Sequence, residues 1–175
     1  MTSEGKEEFD LLFNAAYREL HRLAKWHKSR DGCLTLGPTA LLNEAYIRLA
    51  NSSTVNLQSP LHLRAIVSRA MRRILVDAAR KRKSQKGGRD QRPVSLSDRD
   101  LQVDEQIDLT GDEVLEIERI VEYFRNENPS RAELIILRYF GGFTAEEASK
   151  IIGWSVAETD AQWRYIRSFL ANQTN

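Results

Sequence analysis

The stretch SPLHLRAIVSRAMRRILVDAARKRKSQKGGRDQR, residues 59–92, is the most informative part of this chain because it combines a helical apolar stripe with a dense run of positive charge. Ser59 and Pro60 suit an N-cap and first helical position, and Gly87 with Gly88 suits a stop. The spacing therefore predicts one helix of about 25 residues. Its apolar residues recur at intervals of three and four, as on a helix that buries one side: Leu63, Ile66, Val67, Ala70, Met71, Ile74, Leu75 and Ala78.

The other side of this helix is strongly basic. Its positive residues are Arg64, Arg69, Arg72, Arg73, Arg80, Lys81, Arg82, Lys83, Lys86, Arg89 and Arg92. Only Asp77 and Asp90 oppose them in sequence. Such a field is typical of a surface that binds a polyanion and releases its counterions, so nucleic acid is the expected partner. The alternative is an ordinary solvated helix face, which the one-sided charge disfavours.

Charge also divides the chain into two halves. Residues 1–92 contain 18 lysines and arginines against 9 aspartates and glutamates, a net charge of +9, whereas residues 93–175 contain 8 against 16, a net charge of −8. The polar stretch from Ser84 to Thr110 lacks a helical apolar stripe. We therefore expect an all-α protein in which two small helical domains, residues 1–92 and 112–175, are joined by a flexible linker, residues 93–111.

Two further helices are predicted in the first half. Apolar residues keep helical period over residues 7–28, and Gly37-Pro38 opens a second helix whose buried stripe is Leu41, Leu42, Ala45, Tyr46 and Leu49. Asn43, Glu44, Ile47 and Arg48 then fall on its outer side. The outward Ile47 indicates a small partner-facing patch, although isolated exposed apolar residues are also normal. A polar loop, residues 51–58, leads into the basic helix and can offer amides and hydroxyls to bases.

The second half contains two capping boxes eleven residues apart, Thr144 with Glu147 and Ser155 with Glu158. Gly153 lies between them and suits the end of the first helix. The pattern predicts a helix-turn-helix, with supporting helices that begin near the capping box Thr110–Glu113 and at Asn128-Pro129. The alternative is a helical hairpin that binds nothing, since this geometry also occurs in structural bundles.

The sequence gives no sign of an active site. The single cysteine, Cys33, cannot form an internal disulfide, and the three histidines lack the spacing of metal ligands. We find neither a phosphate-binding glycine loop nor a nucleophile elbow. We therefore expect neither catalysis nor a cofactor or metal. No apolar run of membrane length and no signal-peptide pattern is present, so a cytoplasmic protein without a membrane partner is expected.

Three segments carry a resemblance to a known family: TLGPTALLNEAYIRLA (35–50), SRAMRRILVDAARKRKSQKGG (68–88) and LRYFGGFTAEEASKIIGWS (137–155). Together with the order of the helices, they resemble bacterial RNA polymerase sigma factors of the extracytoplasmic-function (ECF) type, within them a planctomycete-like branch. The resemblance runs from about Phe9 to Leu170. It implies a transcription initiation factor that binds core RNA polymerase and promoter DNA and acts as a monomer in the holoenzyme. An anti-sigma factor is a further candidate partner.

The resemblance also implies roles for particular residues. The second helix would dock on the polymerase clamp through Leu41, Asn43, Glu44, Ile47 and Arg48. The basic helix and the loop before it would hold the single-stranded minus-ten element through Asn56, Arg69, Arg72, Arg73, Arg80, Lys81 and Arg82. The last helix would read the upstream, minus-thirty-five element in the major groove through Ser155, Ala157, Asp160, Ala161, Arg164 and Arg167.

The last helix departs from the family pattern. Family members usually carry basic residues on its exposed early part, where this chain has Ala157, Glu158, Asp160 and Ala161. Carboxylates repel phosphates, so reading of the upstream element is expected to be weak or unusual. This departure motivates one alternative, a sigma-like antagonist that binds polymerase without normal upstream recognition. A second alternative, a helix-turn-helix repressor, requires a dimerisation element that we do not find.

Overall fold

The computed structural model describes residues 3–26, 37–52, 59–85 and 110–173. All regular structure in these ranges is helical, as predicted. The helices are α1 (Ser3–Trp26), α2 (Pro38–Ala50), α3 (Pro60–Gln85), α4 (Gly111–Glu127), α5 (Pro129–Gly141), α6 (Ala145–Ile152) and α7 (Val156–Gln173). Most of the predicted linker, the loop residue Asn56 and Cys33 lie outside the described residues.

Local sequence sets several of the helix ends. Pro38, Pro60 and Pro129 stand at first helical positions, where the missing N–H costs nothing. Thr110 caps α4 and Thr144 caps α6, each in a complete capping box. Gly142 and Gly153 follow α5 and α6 with φ of 57° and 85°, a left-handed conformation that favours glycine. The capping residues Thr110, Thr144 and Gly153, which were read from the sequence, are thus confirmed.

The basic helix α3 lies at the centre of the molecule. It packs against α1 and α2 on one side and against α4, α5 and α6 on another. Its predicted stripe is largely buried, but Ala65, Arg72, Val76 and Ala79, which were not in the stripe, are buried as well. The prediction that α3 buries only one side was therefore wrong. The second buried side is the one that the C-terminal helices cover.

One hydrophobic core runs through both halves of the chain. In the first half Phe9, Phe13 and Tyr46 form an aromatic cluster with ring centroids 5.0–5.6 Å apart. The Tyr46 hydroxyl donates to Asp10 Oδ1 at 2.8 Å, which fixes α1 against α2. In the second half Phe140 and Phe143 are fully buried. A β-carbon on Gly141 would stand 2.8 Å from Ser68 Oγ of α3, so α3 and α5 approach closely at this point.

Candidate polymerase and nucleic-acid interface

The outer face of α2 presents a small mixed surface around Ile47, which is 51% exposed. Asn43 is exposed beside it. Arg48 Nε donates to Glu44 Oε1 at 3.0 Å, and Arg48 Nη1 donates to Asp77 Oδ2 of α3 at 3.2 Å. The hydrogen bond to Glu44 is the main cause that raises the pKa of Arg48 above its ordinary value. These contacts fix the charged groups of Glu44 and Arg48 on the same face of α2 as the exposed Ile47. Leu41 is instead buried in the core and supports this face from within.

The arginines of α3 fall into a paired group and an exposed group. Arg72 is buried and forms an ion pair with Glu118 of α4, which is also buried. Arg69, half-buried, donates from Nε to Glu133 Oε1 of α5 at 2.9 Å. Arg73, Arg80 and Lys81 are exposed, and Arg82 is half-buried. Arg80 Nη2 lies 4.0 Å from Glu118 Oε1, at the edge of the same ion pair.

Arg64 forms the third link between the basic helix and the C-terminal half. Its Nη1 and Nη2 donate to the two carboxylate oxygens of Glu147 at 2.8 and 2.7 Å, the bidentate arrangement that a guanidinium favours. Its Cζ lies 4.0 Å from the centre of the Phe143 ring. Nη1 also donates to Glu19 Oε1 of α1 at 3.2 Å. Arg64 thereby ties α1, α3 and α6 together.

Sequence reasoning missed these carboxylate partners. Glu118, Glu133 and Glu147 lie 46, 64 and 83 residues from their arginines, so no local spacing reveals the pairs. The only signal was the opposite net charge of the two halves, +9 and −8. We interpreted that difference as a sign of two separate domains. In the structure, arginines of the positive half pair with carboxylates of the negative half.

The predicted upstream-element residues lie along α7 and the turn before it. Ser155, Ala157, Asp160, Ala161 and Arg164 are exposed, and Arg167 is half-buried. Ser155 Oγ accepts from the Glu158 N–H at 3.1 Å, one half of the predicted capping box. The side chain of Arg164 turns back along its own helix, with Nε 3.4 Å from the Asp160 carbonyl oxygen. The exposed face of α7 therefore carries small and acidic side chains at its start, and a basic side chain, Arg164, one turn after Asp160.

Arg138 supports α7 from inside. Its Nη1 donates to the Phe143 carbonyl oxygen at 2.8 Å, and its Cζ lies 5.0 Å from the centre of the Trp163 ring. Burial lowers the pKa of Arg138 below its ordinary value, and Asp160 partly opposes that shift.

Within the described residues, no helix is long and apolar enough to cross a membrane. The same part of the chain holds no group of three histidine, cysteine, aspartate or glutamate side chains that could bind a metal ion.

Comparison with protein families gave one decisive match. The family model for ECF sigma factors matches residues 2–175, nearly the whole chain. Neither the curated proteins nor the solved structures gave a match. The chain belongs to the ECF sigma factor family. It is therefore a transcription initiation factor that directs RNA polymerase to promoters, and members of this family are transcription factors rather than enzymes.

Proposed function

We propose that the exposed face of α2 binds core RNA polymerase, with Ile47 as its apolar anchor and Glu44 and Arg48 at its rim. An exposed aliphatic residue surrounded by paired charges fits a protein partner better than a nucleic acid, because the charges set orientation while the apolar side chain loses water. Asn43 adds a hydrogen-bonding group to the same face. The chain acts as a monomer in the holoenzyme and works where the polymerase is, in the cytoplasm.

The basic helix α3 and the loop before it, with Asn56, hold the melted non-template strand of the minus-ten element. Arg69, Arg72, Arg73, Arg80, Lys81 and Arg82 neutralise its phosphates. Flipping a base out of the stack costs a few kcal/mol, and phosphate contacts with the basic helix offset that cost once the strands part. The protein thus stabilises an open promoter without making or breaking a covalent bond.

The helices α6 and α7 form the helix-turn-helix that reads the upstream element. Ser155 and the free amides at the start of α7 suit a phosphate, and Arg164 is the best-placed side chain for a base or phosphate. We further propose that residues 1–92 and 112–175 separate as two domains on the polymerase, joined by the linker at residues 93–111. We also propose, from the wording of residues 35–50, 68–88 and 137–155, that the chain belongs to a planctomycete-like branch of the family.

The observation that carries this proposal is the family match over residues 2–175 combined with a basic helix next to an exposed apolar face. Run-off transcription by core polymerase plus this protein, on a pool of genomic promoter fragments, tests it. Specific transcripts that depend on the protein are expected. An antagonist would bind core and yield no transcript, and a repressor would bind duplex DNA without polymerase.

A further inference from the structure

We propose that the exposed face of α7 selects particular bases in the upstream element. Asp160 selects a cytosine, and Arg164 selects a guanine one or two base pairs away. This inference deepens the proposed function and rests on it, because it assumes that α7 enters the major groove of promoter DNA. The acidic start of α7 then serves to discriminate between bases rather than to raise the general affinity for DNA.

Asp160 and Arg164 lie one turn apart on the exposed side of α7. The opposite side packs into the core through Thr159, Trp163 and Ile166, which are buried. Side chains four residues apart lie on one face of a helix, about 6 Å apart along its axis. Successive base pairs are stacked about 3.4 Å apart. The two side chains can therefore reach base pairs that are one or two steps apart in the groove.

The charged ends of Asp160 and Arg164 are not paired with each other, although an acidic residue four positions before a basic one is the favoured order for a helical ion pair. On α6, Glu146 and Lys150 have this order, and Lys150 Nζ lies 2.8 Å from Glu146 Oε1. On α7, by contrast, Arg164 Nε lies 3.4 Å from the backbone carbonyl oxygen of Asp160. The Asp160 carboxylate and the Nη groups of Arg164 have no hydrogen-bond partner among the described residues. Both groups are therefore available to a ligand.

The two groups match different base edges in the major groove. A carboxylate only accepts hydrogen bonds, and cytosine presents an amino donor at N4. Guanine and thymine present acceptors and no donor, and adenine presents the acceptor N7 beside its amino group, which repels the second carboxylate oxygen. A guanidinium only donates, and it forms two parallel hydrogen bonds with O6 and N7 of guanine. Asp160 therefore favours cytosine, and Arg164 favours guanine.

Two small residues allow a side chain as short as aspartate to reach a base. Ala157 and Ala161 are exposed on the same side of α7 as Asp160 and Arg164. Alanine adds little width to the helix, so the backbone can lie close to the floor of the groove. A phosphate contact does not account for the exposed Asp160, because two negative charges repel each other. A base contact is the role on DNA in which a carboxylate is favourable.

The test is selection of bound DNA from a pool with a randomised upstream element. The DNA is a promoter that the run-off assay identifies, with its minus-ten region kept unpaired and about ten base pairs, one helical turn, randomised upstream. Holoenzyme reconstituted from core polymerase and the full-length protein binds this pool, and the bound and unbound DNA are sequenced. Wild type should enrich cytosine about tenfold at one position, and guanine about tenfold one or two base pairs away.

Asp160→Asn should change the preferred base at the first position from cytosine to adenine, because an asparagine amide binds N6 and N7 of adenine. The ratio of adenine to cytosine should rise at least about tenfold. The lost negative charge raises the affinity for every sequence, so this ratio, and not the total affinity, is the readout. The matched control is Glu158→Gln, which removes the same charge from an exposed position of the same helix. Residues two apart do not share a helix face, so Glu158→Gln should keep the wild-type ratio.

Arg164→Gln distinguishes base selection from a phosphate contact at the second position. A glutamine amide binds adenine, so the preferred base there should change from guanine to adenine. A side chain that contacts only a phosphate would weaken the binding of all sequences equally when it is removed. An equal loss for every sequence, with the guanine preference unchanged, would therefore show that Arg164 selects no base.

Run-off transcription with wild-type protein separates this inference from the proposed function. If wild type supports transcription and its selected DNA shows no cytosine preference, or one that Asp160→Asn leaves unchanged, base selection by Asp160 is wrong and the proposed function stands. The same conclusion follows if Glu158→Gln changes the ratio as much as Asp160→Asn does. If wild type supports no transcription, the proposed function fails, and this inference fails with it.

Discussion

The carboxylate of Glu147 makes both a tertiary and a local contact. It accepts hydrogen bonds from both Nη groups of Arg64 on α3, and it closes the capping box at the start of its own helix, α6. The Arg64 bonds are 2.8 and 2.7 Å long, and the Thr144 N–H donates to Glu147 Oε2 at 2.9 Å. Burial alone would raise the pKa of Glu147, but the hydrogen bonds from Arg64 and Thr144 outweigh it and hold the pKa below its ordinary value. The start of α6 and its attachment to α3 therefore depend on one ionised group.

This pair predicts an acid-sensitive contribution to stability. A carboxyl group whose pKa is lowered by folding stabilises the protein above its unfolded-state pKa, and that contribution disappears as the pH falls through the folded-state pKa. Glu147→Gln should therefore flatten the loss of unfolding free energy between about pH 5 and pH 3, as measured by urea denaturation. The control Glu146→Gln should keep the wild-type slope, since Glu146 pairs with exposed Lys150 on the same helix. Identical slopes for wild type and Glu147→Gln would contradict the assignment.

Because Arg72 and Glu118 form a buried ion pair, we expect their contributions to the free energy of unfolding to depend strongly on each other. Removing one partner of a buried pair leaves an uncompensated charge, so Arg72→Ala should cost about 3–5 kcal/mol of unfolding free energy. Replacing both residues, as in Arg72→Met/Glu118→Leu, should recover most of that loss, because apolar side chains of similar volume often replace a buried pair without cost. A urea-denaturation double-mutant cycle measures both. Arg119→Ala, at an exposed pair with Glu116, is the control and should change stability by less than about 1 kcal/mol.

Much of the fold could be predicted from local sequence, and the part that could not has a physical reason. Pro60 and Pro129 fix helix starts, Thr110 and Thr144 form capping boxes, and helical spacing gives the apolar faces. These signals act over three or four residues, so one sequence suffices to read them. The start of α1 at Ser3 rather than residue 7 was missed, since Ser3 precedes the first apolar residue of the stripe.

The partners of the α3 arginines could not be read in the same way. Arg72 follows the apolar Met71 and was assigned to the solvated side, because an arginine is rarely buried without a partner. Its partner Glu118 lies 46 residues away, and no periodicity links the two positions. The carboxylate neighbours of the α3 arginines therefore could not be predicted from the sequence. The DNA-binding roles of these arginines stay predictions.

The exposed face of α2 predicts a sensitive polymerase contact. Ile47→Arg places a charge where an apolar side chain would be buried, so it should weaken binding to core polymerase at least about tenfold. Leu11, which is 72% exposed on α1, provides the matched control Leu11→Arg. Size-exclusion co-elution and competition binding with core polymerase measure the effect. Equal losses for the two variants, or no loss for Ile47→Arg, would move the polymerase contact elsewhere.

The exposed arginines of α3 predict salt-dependent promoter binding. Arg73→Ala and Arg80→Ala should each remove about one phosphate contact, which lowers the slope of log affinity against log salt concentration by roughly 0.7 for a single strand. The slope is measured with holoenzyme on a promoter whose minus-ten region is already unpaired. Arg125→Ala, at an exposed arginine of α4 paired with Glu122, should leave the slope unchanged. If the double variant Arg73→Ala/Arg80→Ala has the wild-type slope, the exposed face of α3 does not contact the promoter and is an ordinary solvated helix face.

The start of α7 predicts that the upstream element is read through few contacts. Arg164 is exposed, and its Nε touches only the backbone of its own helix among the described contacts, so it is available to DNA. Arg164→Ala should cost about 1–3 kcal/mol in holoenzyme binding to the upstream element, the usual value of a good base contact. If α7 binds DNA as proposed, Asp160→Asn should raise the affinity, because it removes a negative charge from the exposed start of the helix. Arg119→Ala on α4 is the control for loss of positive charge.

Footprinting of the holoenzyme tests whether α7 recognises promoter DNA. Protection that is confined to the melted region, and is unchanged by Arg164→Ala, would mean that it does not.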